Sequence, residues 1–379
     1  MKKVSTIVTI IAFHFCLLQS CEKEEIEINN TIEFEEYIKE EMEFQNIPAM
    51  SILIFEESNV LYEGYFGKSN IDQNTSLQKD DIFLLASISK VVTATALLQL
   101  FDDGLFELDD KINDYLPFNV FVPNQSTPIT FRMLLTHTSG IADGSALDSQ
   151  YYYGRDSPIA LESFLKDYLD QGGQYYNTSE NFHKFEPGTQ YEYSNIGSAL
   201  IGVLVEQISN KAFNSYCKEN IFYPLEMTHT FWSLEEAIQS NNSIVQPYNY
   251  VKNQFEAIQH YTFTDYPNGG LRSSVQDMHK LLMAFVQEGN SNNYQLLNSS
   301  TINSMIKPQI PSIDDEVGLH MFIMDPDNGL WGHDGGEAGV ATIMAFSPIS
   351  KVGALIFVNQ GDAELEEILS EAYKLGLKI

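Results

Sequence analysis

Five stretches of the chain are apolar or alternate apolar with polar residues in runs of eight or nine, and turn residues bound them. They are Ala49–Glu57, Val60–Gly67, Val317–Met324, Ala338–Phe346 and Val352–Asn359. Such runs predict strands. The two N-terminal and three C-terminal strands are expected to share one antiparallel sheet. Asp325-Pro-Asp-Asn-Gly329 reads as a hairpin turn that joins Val317–Met324 to the strand carrying His333. A helix near Thr31–Gln45 and the last helix, Glu364–Leu377, are expected to pack on the sheet.

A different pattern marks residues 82–104. A short apolar run, Ile82-Phe-Leu-Leu-Ala86, reads as an extended segment. The following stretch from Ser87 to Asp103 is apolar on nearly all faces, which predicts a buried helix. Gly104 is its natural C-terminal stop. Between about 105 and 265 the chain reads as helical and loop-rich, with an apolar helix from about Ile196 to Ser209. Thr130 caps a short helix, and Val275–Glu288 forms another with Asp277 in its first turn. The fold class is therefore α+β, an antiparallel sheet flanked by helices plus an all-helical lobe. Residues 31–379 form a single domain, with a sheet part at 31–104 and 266–379 and the lobe at 105–265. The cleft between the two parts is the expected site. Tyr151-Tyr-Tyr153 and the loop Tyr175–Phe185 are aromatic segments that either line this cleft or pack locally.

Charge narrows the function. Lys and Arg total 21 against 52 Asp and Glu, a net charge of −31. A surface this acidic repels nucleic acid and anionic headgroups. The N-terminus reads as a signal peptide over 1–20, with Lys2-Lys3 ahead of the apolar stretch Val4–Leu18. That stretch is too short for a good membrane span. Leu18-Gln-Ser-Cys21 resembles a bacterial lipobox, which would make Cys21 the lipidated first residue of a cell-envelope protein; ordinary secretion is the alternative. Residues 21–30 then form an acidic tether. With Cys16 removed and Cys21 acylated, Cys217 has no disulfide partner. The eight histidines show no His-x-x-x-His spacing, so neither metal nor cofactor is expected.

The candidate chemistry lies in three remote strings: Ser87-Ile-Ser-Lys90, Tyr193-Ser-Asn195 and His333-Asp-Gly335-Gly336. Ser-x-x-Lys also occurs at Ser20, Ser76, Ser163, Ser215 and Ser304, and Tyr-x-Asn also at Tyr175 and Tyr266. Only Ser87 opens a wholly apolar helix. That helix start favours an alkoxide, and Lys90 lies on the same face. Only Tyr193 follows Pro187-Gly-Thr and precedes Gly197. A serine beside a lysine and a tyrosine suits nucleophilic acyl transfer. Unperturbed Tyr and Lys titrate near pH ~10 and ~10.4, so one must be shifted to act as base; which one is left open, with the two expected to share the task.

Taken in order, these strings resemble the serine β-lactamase and penicillin-binding-protein superfamily, closest to its class C-like branch, which also contains esterases and D-amino-acid peptidases. The resemblance covers about 35–360. It implies a sheet flanked by helices plus a helical part. It implies Ser87 as nucleophile, with Lys90 and Tyr193 handling its proton. Asn195 would orient Lys90 and the substrate. The backbone N–H groups of Ser87 and Gly336 would form the oxyanion hole, and His333 and Gly335 would contact substrate. β-Lactamases place Lys-Thr-Gly where this chain has His333-Asp-Gly335, and a histidine holds a substrate carboxylate less strongly. Esters or D-amino-acid-containing peptides are therefore the expected substrates. β-Lactam hydrolysis comes next, then a non-catalytic sensor of β-lactams or wall fragments, then an unrelated carbohydrate- or protein-binding lipoprotein. His137 is expected to fix a loop, and Arg272 to meet a substrate anion or form a structural ion pair.

Overall fold

The computed structural model describes residues 28–291 and 294–379. The expected signal peptide, Cys21 and most of the acidic tether lie outside them. The organising element is a seven-stranded antiparallel sheet built from both ends of the chain. Its strands are β1 (Ala49–Glu56), β2 (Asn59–Asn70), β3 (Thr75–Ser76), β4 (Phe322–Asp325), β5 (Leu330–Glu337), β6 (Val340–Phe346) and β7 (Val352–Val358). Their order across the sheet is β4-β5-β6-β7-β1-β2-β3. The N-terminal β1 pairs with the C-terminal β7 in the register Ile52↔Ile356 and Leu53↔Leu355.

The central strands are apolar throughout because both faces are covered. Along β1, Met50, Ile52 and Ile54 point into one core and Leu53 and Phe55 into the other. The first core holds α1 (Thr31–Phe44) and the C-terminal helix, here α5 (Glu366–Gly376). The second is larger and holds α2 (Ser89–Asp102), α3 (Asn195–Ser209) and α4 (Val275–Val286). Every residue of α2 from Ser89 to Leu100 is buried. Such a helix is fixed on all sides by packing, and so is whatever it carries. Gly104, at φ +71°, stops the chain just past its end.

Three expectations need correction. Val317–Met324 is not one strand. Only Phe322 onwards is extended, because His320 takes a left-handed φ of +50° and Gly318 presses against the Met305 carbonyl. Residues 105–265 are not helical throughout. Tyr151–Tyr153 pairs with Tyr261–Phe263, and Tyr248–Val251 with Gln254–Ala257, as two small ribbons. Finally, Ser87 precedes the α-helix in a 3-10 turn, Ala86–Ile88, instead of lying in its first α-turn.

Candidate active site

The turn before α2 is the first thing that shapes the site. Ala86 adopts φ +47°, a left-handed backbone that a non-glycine residue rarely takes and that marks stored strain. It throws Ser87 out of the buried helix to a half-buried position, while Lys90 stays fully covered at 0% exposure. Lys90 Nζ lies 3.0 Å from Ser87 Oγ, 2.7 Å from Asn195 Oδ1 and 2.8 Å from the Asn268 carbonyl oxygen. The last two are pure acceptors. A neutral amine would spend its two N–H groups on them and turn its lone pair to the serine hydroxyl. Burial brings Lys90 down to about 7, against an opposing pull from Asp143, Asp265, Glu337 and Asp334.

Tyr193 comes from the extended segment before α3. Its ring lines the same hollow as Ser87, and Lys90 Nζ stands 4.9 Å from its ring centroid. Burial pushes this phenol above its ordinary range, with the nearby Ser87 side chain opposing. The two groups are thus driven apart: the amine toward its neutral form, the phenol toward keeping its proton.

Two unforeseen residues hold this arrangement. Asp143 sits across the start of α3. Its Oδ2 accepts from both the backbone N–H and the side-chain Nδ2 of Asn195, each at 2.9 Å, and its Oδ1 accepts from Ile196 N at 3.0 Å. With Nδ2 claimed by a carboxylate, Oδ1 of Asn195 must face Lys90. Asp265 is buried, and burial raises its carboxyl to about 7. Asn268 Nδ2 donates to Asp265 Oδ2 at 2.7 Å and to its carbonyl at 2.6 Å, which fixes the loop whose carbonyl receives Lys90. His137 does fix a loop, as expected. Its Nδ1 accepts the Ser194 N–H at 3.1 Å, and its ring stacks on Tyr193 at 4.2 Å. Arg272 is structural: its guanidinium is fully covered and bonds to the carbonyls of Gly270 and Tyr261.

On the far side, β5 passes close beneath Ser87. A Cβ on Gly335 would lie 2.5 Å from the Leu85 oxygen and 2.9 Å from Ser87 N, so this approach requires glycine. Thr342 on β6 donates to the same Leu85 carbonyl at 2.8 Å. The next residue, Gly336, faces open space, with no atom within 4 Å of a Cβ placed there. A cavity of about 350 Å³ opens here, bounded by Ser87, Tyr191, Tyr193, Phe322, Asp334 and Gly336, with His333 and Gly335 in its wall. His333 is more withdrawn than expected. Its side chain is 2% exposed, and Nδ1 lies 2.6 Å from the Asp334 carbonyl oxygen. The exposed side chain at this strand end is Asp334, at 61%.

The structure therefore gathers Ser87, Lys90, Tyr193, Asn195, His333, Gly335 and Gly336 around one hollow. The other Tyr-x-Asn copy with a structural link to the site, Tyr266-Pro-Asn268, contributes only its Asn268 carbonyl. Tyr266 itself lines a separate hollow of about 260 Å³ with Trp232.

Residues 34–377 match the family model described as Beta-lactamase. The chain belongs to the Beta-lactamase family. It is 27% identical over 278 residues to Protein flp of Staphylococcus aureus, covering 68% of this chain and 53% of that protein. It is 26% identical over 360 residues to Beta-lactamase-like protein 4 of Dictyostelium discoideum, covering 88% of this chain and 60% of that one. The chain thus spans a little over half the length of these curated relatives. Among solved structures, the octameric penicillin-binding protein homologue from Pyrococcus abyssi superposes with a TM-score of 0.72 at 24% identity, over 92% of this chain and 77% of that one. A penicillin-binding protein from Bacillus halodurans gives a TM-score of 0.70 at 22% identity, over 88% and 98%. These last two likenesses establish the fold alone.

Proposed function

We propose that this chain is an extracytoplasmic serine hydrolase that cleaves esters or D-amino-acid-containing peptides through an acyl-enzyme on Ser87. The observation that carries this reading is the pairing at Ser87 Oγ: a buried amine brought to about 7 on one side and a phenol that keeps its proton on the other. Neutral Lys90 takes the proton as Oγ attacks the substrate carbonyl carbon. The oxyanion is held by the N–H groups of Ser87 and Gly336, donors typically worth about 3–4 kcal/mol each in the transition state. The carbonyl then re-forms, the bond to the leaving group breaks, and the Tyr193 hydroxyl supplies its proton, restored from Lys90. Water cleaves the acyl-enzyme by the same steps reversed.

The test is turnover of p-nitrophenyl esters, nitrocefin and a D-Ala-D-Ala peptide by purified protein, beside Ser87→Ala. Ester or peptide turnover that vanishes in the variant supports the reading. Covalent labelling by a fluorophosphonate without any turnover would favour a sensor instead. The proposed location is the bacterial cell envelope, anchored through Cys21. Palmitate incorporation that persists in Cys21→Ser would contradict it.

A further inference from the structure

The geometry points to a substrate that carries a cationic group, an ammonium held between the Asp334 carboxylate and the rings of Tyr191 and Phe322. This rests on the serine-hydrolase reading and names the substrate class of that same site. Besides Tyr193, the cavity beside Ser87 is lined by the aromatic rings of Tyr191 and Phe322, set edge to face with centroids 6.5 Å apart. Among the described residues no lysine or arginine lines it. The nearby Lys90 is spent: all three of its contacts are internal.

Asp334 is the charged side chain that does line it. It stands exposed, its Oδ1 3.6 Å from His333 Nδ1, with no lysine or arginine paired to it among the described residues. Its neighbour His333 holds its carboxyl below the ordinary range, so it is an anion at neutral pH. The charges that act on Tyr191 are likewise all carboxylates, Asp314, Asp334 and Glu192. A hollow lined by aromatic rings beside an exposed carboxylate, whose one partner is a histidine, is the chemistry that binds ammonium groups, and it repels a substrate carboxylate.

Strand geometry sets the distance. Asp334 and Gly336 are two residues apart on β5, so their side-chain directions share a face about 7 Å apart. A carbonyl oxygen at Gly336 therefore places the cation a few bonds from the scissile carbon.

The experiment compares matched esters in which only charge differs: a trimethylammonio-butanoyl ester against its all-carbon isostere, and a choline thioester against its all-carbon isostere. A hemisuccinate ester supplies the anion. Wild type should turn over the cationic member of at least one pair about fivefold better in kcat/KM, the combined size of a partly exposed ion pair and a cation–π contact. The hemisuccinate should be worst. The cationic-to-neutral ratio should fall toward one in Asp334→Asn, persist in Asp334→Glu and invert in Asp334→Lys. Equal turnover within both pairs, or a preference untouched by Asp334→Asn, overturns the inference. Ser87→Ala, titrated with the methyl esters of the same acyl groups, reads the selectivity without chemistry. Cation-selective binding there with no wild-type turnover sinks the hydrolase reading alone; turnover without selectivity sinks this inference alone.

Discussion

Asp143 grips Asn195 twice, through its backbone N–H and through its side-chain amide, with both bonds ending on one carboxylate oxygen at 2.9 Å. That grip decides which end of the Asn195 amide meets Lys90. Asp143 also heads the anions that hold Lys90 up against burial. Asp143→Ala should lower kcat/KM about 10- to 100-fold, the value of one or two hydrogen bonds to a charged group. Removing an anion should also shift the rising limb of the pH–rate profile toward acid. A change in rate with an unmoved limb would reduce Asp143 to a helix-start residue, whose loss lowers stability by about 0.5–2 kcal/mol.

The pH profile of the wild type follows from two opposed shifts. In the proposed mechanism Lys90 acts only when neutral, and burial brings it down to about 7. Below that pH the base is protonated, so kcat/KM for a neutral ester should fall roughly tenfold per pH unit and level off above it. Tyr193 is pushed upward, so no descending limb from its ionisation should appear below pH ~10. Lys90→Arg, always charged, should lose about 10²–10⁴ in kcat. Stopped-flow rates from pH 5 to 10 check all three.

Adjacent glycines should behave differently. Gly335→Ala forces a methyl group onto the Leu85 carbonyl and Ser87 N. Overpacking of this kind costs about 1–3 kcal/mol, and on the proposed mechanism the shifted Ser87 should lower kcat by about 10²-fold. Gly336→Ala meets no atom, so its melting temperature should match wild type while its methyl group intrudes on the cavity and raises KM. Thermal melts and ester kinetics on both variants separate the two effects.

His137 supports Tyr193 by stacking and by accepting the Ser194 N–H, from a left-handed backbone at φ +54°. His137→Ala orphans a buried donor at a cost of about 1–3 kcal/mol. His137→Asn tolerates the same φ and offers an acceptor. It should recover much of the stability but not the activity, because the ring under Tyr193 is gone. Recovery of both would show that stacking is irrelevant.

How much of this was legible in the sequence depends on the range of the force involved. β1, β6, β7 and α2 follow from their own apolar patterns, because burial is written into composition residue by residue. The side chains that meet at the hollow, Ser87, Lys90 and Tyr193, were marked by their strings. What escaped was positional. Asp143 is a lone carboxylate three residues past Gly140, and only the fold lays it across Asn195. The Asn268 acceptor is a main-chain carbonyl, which any residue would provide. The break before Phe322 depends on the backbone of His320, and the left-handed turn at Ala86 on the strand pressed beneath it. The ribbon of Tyr151–Tyr153 needed a partner more than a hundred residues away, which no local periodicity announces.

The account depends most on a covalent bond forming at Ser87 Oγ. Rapid mixing with p-nitrophenyl acetate, acid quench and intact-mass measurement should show one added acetyl group, mapped by peptide digestion to Ser87, absent in Ser87→Ala and much slower to form in Lys90→Met. A folded protein that gains no acetyl group, or gains it equally with Ser87 replaced, would contradict the account.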